Sequence, residues 1–240
     1  MLLPVVLLVA GITADPCGNY EALTHQFFDH IYEHNHDKMR TLIASLSTDK
    51  LVNLLNIEYA PEGTDKQLTP LMLATVLGDA QMAQIFLEKG ADPHRMCLRK
   101  INTDDNLING SPLWVAASFG HLEVCRVLLA HGANVELGLE IGITPLMAAC
   151  DAGHKEIAAF LMKNGANIGR TDDAGNNALM GASISGRLDV VRFLLSNGAR
   201  VDERNKYGKT ALDFAFKYGH SEIVHFLQAE QKKIARHSDL

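Results

Sequence analysis

The sequence is poor in the features that would mark it as an enzyme, a metalloprotein or a nucleic-acid binder. It holds four cysteines (Cys17, Cys97, Cys125 and Cys150), and no two stand as CxxC, so neither a zinc knuckle nor a dithiol redox site is written here. Basic residues are in deficit, 22 against 28 acidic ones, and the net charge of −6 leaves no cationic footprint for binding nucleic acid regardless of its sequence. No apolar run reaches the length that spans a bilayer. G-x-S-x-G, the P-loop and G-x-G-x-x-G are all missing, which removes the common nucleophile and nucleotide motifs. With an apolar share of 47%, a folded chain is nonetheless expected.

What is present is repetition. Five segments align without gaps: TPLMLATVLGD from Thr69, SPLWVAASFGH from Ser111, TPLMAACDAGH from Thr144, NALMGASISGR from Asn177 and TALDFAFKYGH from Thr210. Their starts are separated by 42 residues and then by 33 three times. Thr, Ser or Asn at the first position caps a helix through its side-chain oxygen, and Pro fits the first turn, where no amide bond is lost. Leu71, Leu113, Leu146, Leu179 and Leu212 fall two residues after the cap, and Ala74, Ala116, Ala149, Ala182 and Ala215 five after it. Small Ala allows close helix approach, and Leu fills the space beside it. Gly78, Gly120, Gly153, Gly186 and Gly219, nine after the cap, predict a left-handed turn into a second helix. That helix carries a 3.6-residue apolar stripe, as in Val190, Phe193 and Leu194, and ends at Gly90, Gly132, Gly165 or Gly198. A single unit buries too little to fold alone and must stack on a neighbour.

The expected organisation is residues 1–14, an apolar segment; 15–26, a leader; 27–68, a degenerate first repeat with its linker; 69–229, five repeats (69–110, 111–143, 144–176, 177–209, 210–229); and 230–240, a charged tail. Residues 1–14, MLLPVVLLVAGITA, read either as a signal-peptide core cleaved after Ala14 or as an apolar extension packed on the first helices. The first alternative makes the chain secreted, the second cytoplasmic. In the degenerate repeat, Phe27, Phe28 and Ile31, then Met39, Leu42, Ile43 and Leu46, predict two helices.

A 33-residue period carrying T-P-L-x-x-A, then G-H, LL and G-A-D/N, resembles the ankyrin family over residues 69–229. The implied fold class is all-α, a solenoid of helix-turn-helix units joined by β-hairpin-like loops. The tracts INGSPLWVAASFGHLEVCRVLLAHGANV and TPLMAACDAGHKEIAAFLMKNGANI are similar to early repeats of the Fem family, as is the leader around MRTLIASLSTDKLVNLL. This narrower resemblance covers most of residues 27–229. It implies a substrate-recognition component of a cullin-RING ubiquitin ligase, or a truncated relative, that grips peptide ends in its concave face. Where that family has Phe-Asp after A-A-C, this sequence has Asp151-Ala152.

In such a stack the hairpin tips and the exposed ends of the first helices line one side. Positions there give a partner-binding set of Phe119, Ile141, Ile143, Asp151, Asp173, Ile184, Lys206, Tyr207, Lys217 and Tyr218, grading from apolar to basic and aromatic. The expected partner is a protein or peptide, with no nucleic acid, no membrane span, no cofactor and a monomeric chain. The apolar finger Glu136–Ile143 either meets that partner or packs against the inserted loop Pro93–Asn109. Trp114 is expected to face the neighbouring repeat. One remaining motif, His30-Ile31-Tyr32-Glu33-His34, matches the inverted zincin pattern H-x-x-E-H, so a zinc peptidase using His30, Glu33 and His34 is set against a plain polar helix face.

Overall fold

The computed structural model describes residues 19–57, 68–100 and 107–238. The segment 1–14, Cys17, most of the linker before Leu68 and the middle of the inserted loop lie outside them. Among the described residues there are thirteen helices and one two-stranded ladder. They divide into two compact units, the first comprising residues 1–112 and 126–133, the second 113–125 and 134–240.

In the first unit α1 (Asn19–Tyr32), α2 (His36–Ser45) and α3 (Thr48–Asn56) precede the helix pair α4 (Pro70–Val76) and α5 (Ala80–Glu88). Phe27, Phe28, Ile31, Met39, Leu54, Leu71 and Phe86 form its core, and the Phe27 and Phe86 rings stack at 5.6 Å. Residues 27–55 hold three helices in place of the two expected. Leu46 takes an extended conformation that ends α2, and Ser47 opens α3, whose Leu54 and Leu55 turn inward. The inserted segment adds strands β1 (Cys97–Lys100) and β2 (Leu107–Gly110), paired antiparallel with Cys97 opposite Gly110.

The proposed zinc pair is not formed. Helix α1 stops at Tyr32, and His34 stands in the following turn with φ +52°, so His30 and His34 do not share a helix face. His30 is buried instead, while His34 Nδ1 bonds Asp79 Oδ2 at 2.6 Å. Among the described residues no group of three or more His, Cys, Asp or Glu side chains could hold a metal ion.

The four later repeats share one plan. α6 (Pro112–Phe119) leads into α7 (Leu122–Ala130), α8 (Pro145–Ala152) into α9 (Lys155–Lys163), α10 (Ala178–Ile184) into α11 (Leu188–Ser196), and α12 (Ala211–Lys217) into α13 (Ser221–Ser238). The caps are those the sequence predicts. Thr144 and Thr210 hydroxyls accept the amides of Met147 and Asp213 at 3.3 Å each, and Asn177 Oδ1 accepts Met180 N–H at 3.0 Å. The ninth-position glycines are all left-handed, φ between +71° and +91°. First helices pack on first helices, α8 on α10 and α10 on α12, while α9, α11 and α13 form the second layer. Leu146, Leu179, Ala149, Ala182 and Ala215 are sealed between them. Cys125 and Cys150 are free and buried, and burial pushes both thiols up to about 12.

Candidate functional site

The candidate surface is built from two rows of residues in the second unit: the tips of the connections between repeats, and the C-terminal ends of the first helices. Side chains fold each tip locally. Asp172 Oδ1 accepts the amides of Ala174 and Asn176 at 2.9 and 2.8 Å, and Asn205 Oδ1 accepts those of Tyr207 and Lys209 at 2.9 Å each. Short Asx side chains make such turns because their oxygen reaches the backbone two to four residues on.

Successive tips are then zipped together. Asp173 N–H donates to Ile141 O and Lys206 N–H to Ala174 O, both at 3.0 Å, and Asn205 Nδ2 donates to Asn176 Oδ1 at 2.8 Å. At Gly175 a Cβ would come within 2.9 Å of the Lys206 nitrogen, so this approach admits only glycine. The finger from Glu136 joins the row as well, since Glu136 Oε1 accepts Asn167 N–H at 2.7 Å. Within it Leu139 is buried and Ile141 is exposed. The middle of the inserted loop, the packing partner that was the alternative to a bound partner, lies outside the described residues.

The helix ends are aligned by a second device. The residues after Gly153, Gly186 and Gly219 reach back over the preceding repeat. Arg187 Nε donates to Asp151 O at 3.1 Å, and His220 Nε2 donates to Ile184 O at 2.8 Å. A Cβ on Gly120 would sit 2.8 Å from the His154 ring. The G-H pair of the sequence therefore works between repeats as well as within one.

These devices bring Ile143, Asp151 and Ile184 together around one pocket of about 250 Å³. Trp114, Met147 and Gly181 complete its apolar wall, and Asp172, Asn176 and Ser118 add polar groups. Trp114, 8% exposed, is both packed and part of this wall. Phe119 and Ile141 are exposed beyond the pocket, the Phe119 ring stacking on His121 at 6.0 Å. Asp173 is exposed on the second tip, Lys206 and Tyr207 on the third, and Lys217 and Tyr218 at the end of α12. None of these five lines the pocket.

Sequence reasoning missed Asp172, Met147 and Gly181 as members of the hollow. Gly181 carried a usable signal. Four residues after the cap the other repeats hold Leu73, Val115, Ala148 and Phe214, and only here is the side chain absent.

Comparison with known proteins agrees with the repeat geometry. The family profile "Ankyrin repeats (3 copies)" matches residues 96–172, "Ankyrin repeats (many copies)" matches 179–228, and "Ankyrin repeat" matches 66–97. The chain is similar to a candidate E3 ubiquitin-protein ligase of Plasmodium falciparum, 31% identical over 118 residues, which is 48% of this chain and 1% of that protein. It is also similar to the ankyrin repeat and SAM domain-containing protein 6 of Rattus norvegicus, 36% identical over 93 residues, 39% of this chain and 9% of the relative. The chain thus spans only a small part of these curated relatives.

Proposed function

The chain belongs to the ankyrin-repeat family, and from that premise we propose that it is a non-catalytic binding scaffold whose second unit holds an extended peptide or protein loop. The observation that carries this reading is the pocket of about 250 Å³ shared by three successive repeats and walled by Trp114, Ile143, Met147 and Ile184. Aromatic and aliphatic walls with a few fixed polar groups suit one anchoring side chain. The tips and helix ends on either side are held by hydrogen bonds before any partner arrives, so little ordering entropy remains to be lost. Phe119, Ile141, Asp173, Lys206, Tyr207, Lys217 and Tyr218 extend the surface along the partner.

The test is the triple variant Phe119→Ala, Ile184→Ala, Tyr218→Ala, compared with the parent chain in affinity capture. Partners held by the parent should be lost from the variant while its thermal unfolding is unchanged. Equal retention by a folded variant sinks the reading.

A second reading, a substrate receptor of a cullin-RING ligase, is supported by the Fem-like tracts and by the 31% identity to a candidate ligase. Recovery of a cullin subunit with the chain from cells supports it, and repeated capture without one counts against it.

A further inference from the structure

The three most exposed large apolar side chains among the described residues are Tyr207 at 75%, on the tip that leads into the last repeat, and Phe216 at 76% and Tyr218 at 50% within it. Exposed aromatics concentrated in one place mark a contact surface better than scattered ones do. The same tip carries exposed Lys206 and Lys209, and the end of α12 carries exposed Lys217.

Three carboxylates of this repeat and the hairpin before it are already engaged, and exposed Glu222 opens α13. Asp213 accepts the Thr210 amide and hydroxyl at 2.7 and 2.8 Å, Glu203 accepts Asn177 Nδ2 at 2.6 Å, and Asp202 pairs with Arg200 at 3.4 Å. Among the described residues none of the three lysines has a carboxylate at ion-pair distance. Asp213 feels the charge of Lys209 and Arg204 without a direct ion pair, so in a chain of net charge −6 the three ammonium groups stay open to a partner's carboxylates.

The repeat period places the lysines. Lys209 and Lys217 stand 33 residues after Asn176 and Ile184, which line one pocket together. Lys206 and Tyr207 sit on a tip fixed by Asn205 and by the bond to Ala174, and Lys217 Nζ lies 5.2 Å from the Tyr218 ring centroid. Phe216 lies in the last turn of α12 and Tyr218 caps its C-terminus, two residues on and about 200° around the axis, so Phe216 leaves on a different side from Tyr218.

In the repeats before the last one the corresponding surface presents exposed Glu140, Asp151 and Asp173. A long polyanion is therefore disfavoured, whereas a short acidic stretch suits the patch. We propose that the last repeat and the tip leading into it dock a short acidic segment of a partner protein, its carboxylates on Lys206, Lys209 and Lys217 and its apolar side chains on Tyr207 and Tyr218. The proposal rests on the peptide-binding reading above and specifies the chemistry at one end of the bound segment.

Fluorescence anisotropy on the full chain tests it, with three labelled probes: an alternating Asp-Leu octapeptide, an alternating Lys-Leu octapeptide and a 20-mer oligothymidylate. The Asp-Leu peptide should bind about tenfold more tightly than the Lys-Leu peptide and lose that advantage at about 0.5 M NaCl. K206E/K209E/K217E should reverse the order, Y207A/Y218A should weaken Asp-Leu binding at either salt concentration, and F216A should change nothing. If the charge reversal unfolds the chain, the corresponding Lys→Gln variant serves, with equal affinity for the two peptides expected.

Equal binding of both peptides to the parent chain overturns the proposal, and so does Asp-Leu binding indifferent to the lysines or lost in F216A. Oligothymidylate bound as tightly as the Asp-Leu peptide overturns it in favour of a nucleic acid. Should the Asp-Leu peptide fail while captured partners are still lost from F119A/I184A/Y218A, this inference falls and the peptide-binding reading stands. Failure of both experiments removes both.

Discussion

Asp79 shows how much one side chain can hold in this fold. It is 8% exposed, caps α5 through the Met82 amide at 2.9 Å, and receives His34 Nδ1 and His36 Nε2 at 2.6 and 2.9 Å. Burial alone pushes its carboxyl up; the Met82 amide and the two imidazoles outweigh that and hold it below the ordinary carboxylate value. Asp79→Ala removes a helix cap and leaves two rings without their acceptor. With the half-exposed His34 discounted for solvent screening, the cost should be about 2 kcal/mol in urea unfolding. A depressed pKa in the folded state gives stability that is present above the unfolded value, about 3.9, and lost as pH falls through the folded one. The gap between the parent chain and Asp79→Asn should therefore be widest near neutrality and narrow below about pH 4. A gap that stays constant down to acid pH would refute this assignment. The sequence showed His30, Glu33 and His34 as a possible set; it could not show His34 turned toward a carboxylate 45 residues away.

At the scale of elements, the repeated helices were legible because each position recurs. Five copies of cap, Leu, Ala and Gly fix helix starts, the packed face and the turn, and the caps at Thr144, Asn177 and Thr210 are those expected. Residues 27–55 have no second copy to compare, and helical spacing alone did not separate α2 from α3. Their boundary rests on Leu46 and Ser47, a backbone choice that carries no periodic signal. The pocket was half legible. Ile143, Asp151 and Ile184 lay at variable positions, whereas Met147 lies within α8 and reads as packing, and Gly181 within α10 has no side chain to read. Gly181 offers a discriminating prediction, because a Cβ there meets only the Asp151 Cβ, at 4.0 Å. Gly181→Ala should stabilise α10 by about 0.5–1 kcal/mol, from helix propensity and reduced freedom of the unfolded chain, measured as a raised thermal midpoint. Gly181→Leu should fill the hollow and abolish partner capture while the chain stays folded. Unimpaired capture by a folded Gly181→Leu variant would place the partner elsewhere.

On the scale of the molecule, a fold built of short helix pairs contacts chiefly its neighbours along the chain, so its interior is a row of small cores. Cys125 and Cys150 occupy such positions in the second unit, both fully buried, with thiols pushed up to about 12 by burial. The sequence had them as core residues from their place in the repeat, and the absence of CxxC agrees with free thiols. Since the thiolate is the reactive form, two barriers protect them: the closed core and the raised pKa. Iodoacetamide at about pH 8 should leave both unmodified in the native chain, and labelling should require an opening of their repeats. Peptide mapping after timed exposure checks this residue by residue. Cys125 and Cys150 should label together with the unfolding transition in urea, and Gly181→Ala should delay Cys150, whose helix α8 packs directly on α10. Fast native labelling at Cys150 would mean that α8 opens locally, and a repeat that opens so readily could not preorganise the wall that Met147 and Asp151 supply to the pocket.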